Sequence, residues 1–290
     1  MSARAERKAA TLACWKGRVE PVPLSGGISN HNFLVDDAGQ KFMVRIGEDI
    51  EVHNVLRRFE LAASRAAEAA GISPAVVHAE PGAIVFSFVE GRTLRPEGVR
   101  DPAMLERILP LVRRCHTEIP KHFRGPAPFF WVFQVIRNYA ARLRDDGSRM
   151  VPDLPRLLGA AEELERTVGP IEPVFGHNDL LAANLIDDGT RLWLLDWEYG
   201  GFNSPLFDLG GLASNNELSA EQEDWLLEAY YGGPVTGDLR RSYAAMKCAS
   251  LLREAMWSMV SELHLTVDFD YQAYTAENLR RFEAAQADLT

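Results

Sequence analysis

Apolar and polar positions alternate along Lys41-Phe-Met-Val-Arg-Ile46, so Phe42, Val44 and Ile46 share one face of a strand while Met43 and Arg45 take the other. The period then changes. Val52, Val55, Leu56, Phe59, Ala63, Ala66 and Ala70 recur at helical spacing, and Gly71 and Pro74 end the run. Two apolar runs, Ala75-Val-Val-His78 and Ala83 to Val89, flank Pro81-Gly82 and predict a hairpin. Upstream, Leu24 to Val35 is a strand-loop-strand pattern that Asp36-Asp-Ala-Gly39 turns into the strand at 41–46. After Glu90-Gly91-Arg92 helical periodicity takes over, at about 104–116, 131–144, 156–168, 219–231 and 238–263, with a further short helix at 3–16. Proline and glycine mark 119–128 as a loop. The pattern predicts an α+β chain of two lobes, a small β-rich one at 1–90 and a larger, mainly helical one at 91–290.

One hairpin interrupts the helical half, and the candidate chemistry gathers around it. Asp188-Gly189 lies between the apolar ends of Leu185 to Leu192, a strong turn signal that brings Asn184 and Asp196 side by side, with Asp179 on the loop leading in. His177-x-Asp179, then Asn184, then a carboxylate after the next strand is the spacing of a kinase catalytic loop and its metal-binding aspartate. Phosphoryl transfer needs an acceptor-only side chain to orient a hydroxyl and take its proton, which suits Asp179. Mg2+ prefers oxygen ligands, which suits Asn184 and Asp196. Ser25-Gly26-Gly27 lets backbone N–H groups approach an anion without an intervening Cβ. Arg45 points away from its strand's apolar face, where its fork can grip phosphate oxygens, and Glu60 lies beside the following helical stripe as a partner for it. At the boundary between the lobes, the backbone of Ser87, Phe88 and Val89, up to Glu90, is placed to contact adenine.

His177-Asn-Asp-Leu-Leu-Ala-Ala-Asn184, Leu195-Asp-Trp-Glu-Tyr199 and Pro205-Leu-Phe-Asp-Leu-Gly210 resemble the corresponding motifs of choline/ethanolamine kinases, within the wider aminoglycoside-phosphotransferase-like group. The likeness runs from about Leu24 to about Phe282 and implies a protein-kinase-like fold, ATP and Mg2+ as cofactors, and choline or ethanolamine as acceptor. It also implies that Asn30 belongs to the phosphate-covering loop, that Asp208 braces the catalytic loop, and that His177 serves the loop backbone. Glu254-Ala-Met-Trp257 and Asp268-Phe-Asp-Tyr271-Gln-Ala-Tyr274 resemble segments that line the choline pocket. Together with Tyr199, the aromatics Trp257, Tyr271 and Tyr274 then surround a quaternary ammonium. Two positions depart from animal choline kinases: Glu254 stands in place of a second tryptophan, and Asn215 in place of a glutamate. A less aromatic cage shifts preference toward ethanolamine or another amino alcohol.

Composition adds limits. Across 290 residues, 31 basic against 41 acidic side chains give a net charge of −10, which disfavours nucleic acid and is compatible with either a cationic substrate or plain solubility. Cys14, Cys115 and Cys248 are dispersed and odd in number, as for reduced thiols in a cytoplasmic protein. No apolar region follows the charged start and no long apolar run occurs, so neither secretion nor membrane insertion is expected. A homodimer is compatible with the sequence. Three rivals remain: a kinase for thiamine or an aminoglycoside, a non-heme iron oxygenase using His177, Asp179 and His264, and a catalytically silent kinase-shaped binding module.

Overall fold

The computed structural model describes residues 3–24, 30–267 and 269–289. Helix α1 (Ala3–Ala10) precedes strands β1 (Val22–Pro23), β2 (His31–Asp37) and β3 (Gln40–Ile46). Helix α2 (Arg57–Ala69), then β4 (Val76–Glu80) and β5 (Ala83–Ser87), complete the first lobe. Its five strands form one antiparallel sheet in the order β1-β2-β3-β5-β4. Register explains the core: Phe33, Val44 and Val85 are cross-strand neighbours and all are fully buried. The row beside it, Asn32, Arg45 and Ile84, points to the other face, which puts the arginine under the sheet toward α2.

After β5 come β6 (Arg92–Thr93), α3 (Pro96–Val99), α4 (Pro102–His122), α5 (Val132–Asp145) and α6 (Leu154–Val168). Strands β7 (Val174–Gly176), β8 (Leu185–Asp187), β9 (Leu192–Leu194) and β10 (Gly201–Asn203) follow, then α7 (Pro205–Asn216), α8 (Ala220–Tyr231), α9 (Gly237–His264) and α10 (Tyr271–Ala287). The fold is the two-lobed, protein-kinase-like α+β arrangement. Helix α9 runs through the centre of the second lobe with most of its length buried. A Cβ at Gly210 would come within 2.9 Å of the Lys247 backbone, so glycine is what lets α7 lie this close to α9.

Two predicted helices are shorter than their periodicity suggests. The first stops at Ala10, because the Trp15 Nε1–H donates to the Ala9 carbonyl (2.7 Å) and turns the chain back, setting Trp15 against Phe42. The second starts at Arg57, whose N–H donates to Asp49 Oδ1 (2.7 Å), after a turn held by Asn54 at φ 57°. All three cysteines are free, and no helix among the described residues is long and apolar enough to cross a membrane.

Candidate active site

The loop after β7 is built almost wholly from side-chain hydrogen bonds to backbone. Ser204 caps α7 through the Leu206 N–H, which leaves Asp208 in the first helical turn for other work. Its Oδ2 accepts from the His177 N–H and its Oδ1 from the Asn178 N–H, both at 2.7 Å, and His116 Nε2 lies 3.0 Å from Oδ2. Asn178 sits at φ 64° with its amide donating to the carbonyls of Tyr199 and Gly201. His177 Nε2 faces the Leu195 carbonyl at 2.8 Å and Nδ1 faces the Asp179 N–H, the pattern of a neutral ring; burial lowers its pKa. These contacts aim Asp179. Asn184 then donates Nδ2 to the Asp179 carbonyl (3.0 Å), so its amide oxygen is the atom left to act as a ligand.

The β8–β9 hairpin forms around Asp188-Gly189, with Asp188 Oδ1 accepting from the Thr190 and Arg191 N–H groups. It delivers Asp196 at φ 66° to a buried charge network. Arg45 Nη1 donates to Glu60 Oε1 (2.6 Å) and Asp196 Oδ1 (2.5 Å). Arg57 Nη1 donates to Glu60 Oε2 (2.6 Å) and Glu198 Oε2 (3.1 Å), and Asn30 Nδ2 also reaches Glu198. Glu60 is 1% exposed and Arg45 5%, so the pair sits in a low-dielectric setting. Burial works to raise the Asp196 pKa, but the neighbouring Arg45 outweighs it and holds the carboxylate low; burial and the Asp196 charge push Glu198 up. Replacing Arg45 with methionine leaves Glu60 with Arg57 alone and takes from Asp196 the guanidinium that holds it ionised, so it should cost about 3–5 kcal/mol of stability. Chemical denaturation of the two proteins measures it.

Asp179 is itself perturbed. Burial raises its pKa to about 8, Arg253 opposes the rise, and Glu254 and Asp196 add to it. Such a value suits a proton acceptor working near neutral pH.

Tyr199, Glu254, Trp257, Tyr271 and Tyr274 do come together, but their surfaces are already engaged. Trp257 donates Nε1–H to the Tyr199 hydroxyl (3.0 Å) and stacks on His53 at 5.3 Å, while Tyr274 donates its hydroxyl to Glu254 (2.8 Å). Beside them lies Arg253, its guanidinium 5.4 Å from the Tyr199 ring centre and 5.9 Å from that of Phe130, with Nη2 4.0 Å from Asp179 Oδ1. Sequence reasoning missed it. The signal was a lone arginine in the otherwise apolar run from Ala249 to Val260, broken only by Ser250, Glu254 and Ser258. Arg57 and Glu198 were missed too, as members of the network around Glu60.

Ser87, Phe88 and Val89 are partly buried where β5 leads into the second lobe, with the Phe88 N–H donating to the Lys41 carbonyl. Ser25, Gly26 and Gly27 lie outside the described residues, as does Asp268. His264 pairs with Asp146 at the end of α9, and His177 spends both nitrogens on the loop, so the iron-site reading loses two of its three ligands.

A family model described as choline/ethanolamine kinase matches residues 22–223. LicA of Haemophilus influenzae is 29% identical over 219 residues, 72% of this chain but only 62% of that protein, so the match spans less than two thirds of that relative. Ethanolamine kinase 2 of Homo sapiens is 26% identical over 307 aligned residues, covering 92% of this chain and 76% of the human one. Among solved structures, a choline/ethanolamine kinase family protein from Mesorhizobium loti superposes with a TM-score of 0.76 at 28% identity, covering 97% of this chain and 93% of that one.

Proposed function

The chain belongs to the choline/ethanolamine kinase family, and from that premise we propose that it transfers the γ-phosphoryl group of ATP to the hydroxyl of a choline- or ethanolamine-type amino alcohol. The observation that carries this reading is a buried carboxylate of raised pKa, Asp179, on a loop whose backbone carbonyl Asn184 ties down, within electrostatic reach of Asp196 beyond the next hairpin. Asp179 orients the acceptor hydroxyl and takes its proton as the oxygen attacks phosphorus. Arg45, held by Glu60, grips phosphate oxygens; Ser25, Gly26, Gly27 and Asn30 cover the phosphates; Ser87 to Val89 meet the adenine. Asn184 and Asp196 would hold Mg2+, and the fit is good: a donor set of oxygens only, with the Asn184 nitrogen committed elsewhere and one Asp196 oxygen left over from Arg45. That ion supplies charge neutralisation on the phosphates when bound. Tyr199, Glu254, Trp257, Tyr271 and Tyr274 border the acceptor.

The test is ADP release with choline, ethanolamine, thiamine or an aminoglycoside, with and without Mg2+. The expected result is release that needs Mg2+ and rises severalfold with an amino alcohol. Release indifferent to every acceptor contradicts the reading. A pH series adds a second check: since Asp179 must be ionised, kcat/KM should climb to a plateau above about pH 8 and fall about 100-fold by pH 6. A profile flat from pH 6 to 9 would show that Asp179 is already ionised at pH 6, against the raised pKa.

A further inference from the structure

We propose that the cavity between α2 and the β4–β5 hairpin is a second ligand site, one that takes a phosphomonoester carrying a short apolar body. The proposal goes beyond the alcohol-kinase reading, and its first test is binding, with no turnover involved.

The cavity measures about 340 Å³ and has the Arg45–Glu60 pair as one wall. None of Asp179, Asn184, Asp196 or Ser87 to Val89 lines it, so it is separate from the catalytic loop and from the proposed adenine contact. Its shape follows from the helix period. Arg58, Leu61 and Arg65 lie at i, i+3 and i+7 on one face of α2, opposite Ala79 and Ile84 of the hairpin.

Charge and unmade hydrogen bonds say what the cavity takes. Arg45, Arg57, Arg58 and Arg65 line it against two carboxylates, Glu60 and Glu80. Both carboxylates are engaged, Glu60 by Arg45 and Arg57, and Glu80 by His78 Nε2 at 3.0 Å. Arg58 and Arg65 are exposed and make no ion pair among the described residues; Arg58 lies over the Phe59 ring, 4.8 Å from its centre. Deeper in, Arg45 Nε and Arg57 Nη2 are buried with no hydrogen-bond partner among the described residues. The Arg45 side chain is 6% exposed, and Arg57 Nη2 packs against Gly47 of the cavity lining, where it would stand 3.3 Å from an added Cβ. Buried donors left unmade are costly, and an oxyanion would satisfy them. A carboxylate brings two acceptor oxygens and a phosphomonoester three, which better matches two buried donors with two unpaired guanidinium groups above them. Leu61, Ala79 and Ile84 then meet its hydrocarbon part. Arg45 is where such a ligand touches the reaction: its fork cannot serve two oxyanions fully, so the ligand and ATP weaken each other by one factor in both directions.

The probe is hexyl phosphate, with inorganic phosphate, hexanoate and hexanol as comparisons, titrated calorimetrically into the wild-type chain and the Arg58→Ala/Arg65→Ala double variant. Hexyl phosphate should bind about tenfold tighter than phosphate or hexanoate, hexanol should not bind, and the double variant should lose tenfold or more. In ADP release, hexyl phosphate should raise KM for ATP to a severalfold plateau in the wild type and leave the double variant, whose basal turnover is unchanged, unaffected. Sedimentation with vesicles containing phosphatidic acid assigns the source. Pelleting lost in the double variant makes the ligand a lipid headgroup; no pelleting beside tight hexyl phosphate binding makes it a soluble ester. Failure of hexyl phosphate to bind, equal binding by the double variant, or a KM for ATP that climbs without limit because the ligand takes the nucleotide's own place, overturns the assignment. Absence of turnover with every acceptor overturns the alcohol-kinase reading alone, since calorimetry still decides the site.

Discussion

Asp179→Asn is expected to lower turnover by about 10²- to 10⁴-fold while leaving the chain folded and, at pH 8, more resistant to unfolding. The first half follows from losing the only side chain on the loop placed to take the hydroxyl proton; the isosteric amide keeps the shape but accepts no proton. The second follows from linkage. A carboxyl whose folded pKa is about 8 binds its proton more tightly in the folded chain than in the unfolded one, where it titrates near the usual aspartate value. Between those two values the native state holds the extra proton, so the wild-type chain loses stability as pH rises across that window. The amide has nothing to ionise. Its gain at pH 8 should be on the order of 1–3 kcal/mol, reduced because a fifth of the Asp179 side chain meets solvent. Denaturant melts of both proteins at pH 5 and pH 8 read it: the curves should nearly coincide at pH 5 and separate at pH 8, with the variant the more stable. A variant less stable than wild type at both values would show that Asp179 is held as a paired anion, not raised by burial.

Asp208→Ala has the largest expected effect on the fold of the site. This side chain is 2% exposed and accepts from two backbone N–H groups and faces His116. Removing it strands the N–H groups of His177 and Asn178 in the interior, each worth about 1–3 kcal/mol, and leaves a cavity as well. A loss of about 3–5 kcal/mol is expected, with turnover falling in the fraction that remains folded, because the loop that aims Asp179 has lost its anchor. Asp208→Asn is the informative companion. It keeps one acceptor oxygen but turns a donor toward a backbone N–H, so it should retain most of the volume and still lose at least 2 kcal/mol, roughly. Thermal unfolding of the three proteins distinguishes a role in bracing from one confined to chemistry.

The parts of the site that were legible in the sequence are those set by local chemistry. Asp188-Gly189 can only turn, so Asn184 and Asp196 had to return to neighbouring positions, and the strand alternation around Val44 fixed the face of Arg45. Helix ends were less legible because distant side chains set them: Trp15 closes the first helix and Asp49 opens the second. The acceptor wall was the least legible. Its residues come together as their spacing on α9 and α10 suggests, yet which surface is free depends on how α9 is rotated against Tyr199 and Phe130, far away in sequence. Periodicity marks a buried face of α9; it does not say that a guanidinium on that face will lie against Tyr199 and Phe130. The Glu60 network shows the same limit, since Arg57 reaches both Glu60 and Glu198 across the interlobe boundary.

The central claim is that a hydroxyl held at Asp179 receives a phosphoryl group from ATP. Phosphorus NMR of the wild-type chain with ATP, Mg2+ and an amino-alcohol acceptor tests it most directly. The account predicts a new phosphomonoester signal coupled to the acceptor's carbinol protons, growing in step with ADP and missing from Asp179→Asn. ATP left intact, or consumed only to inorganic phosphate at a rate the acceptor does not change, would contradict it.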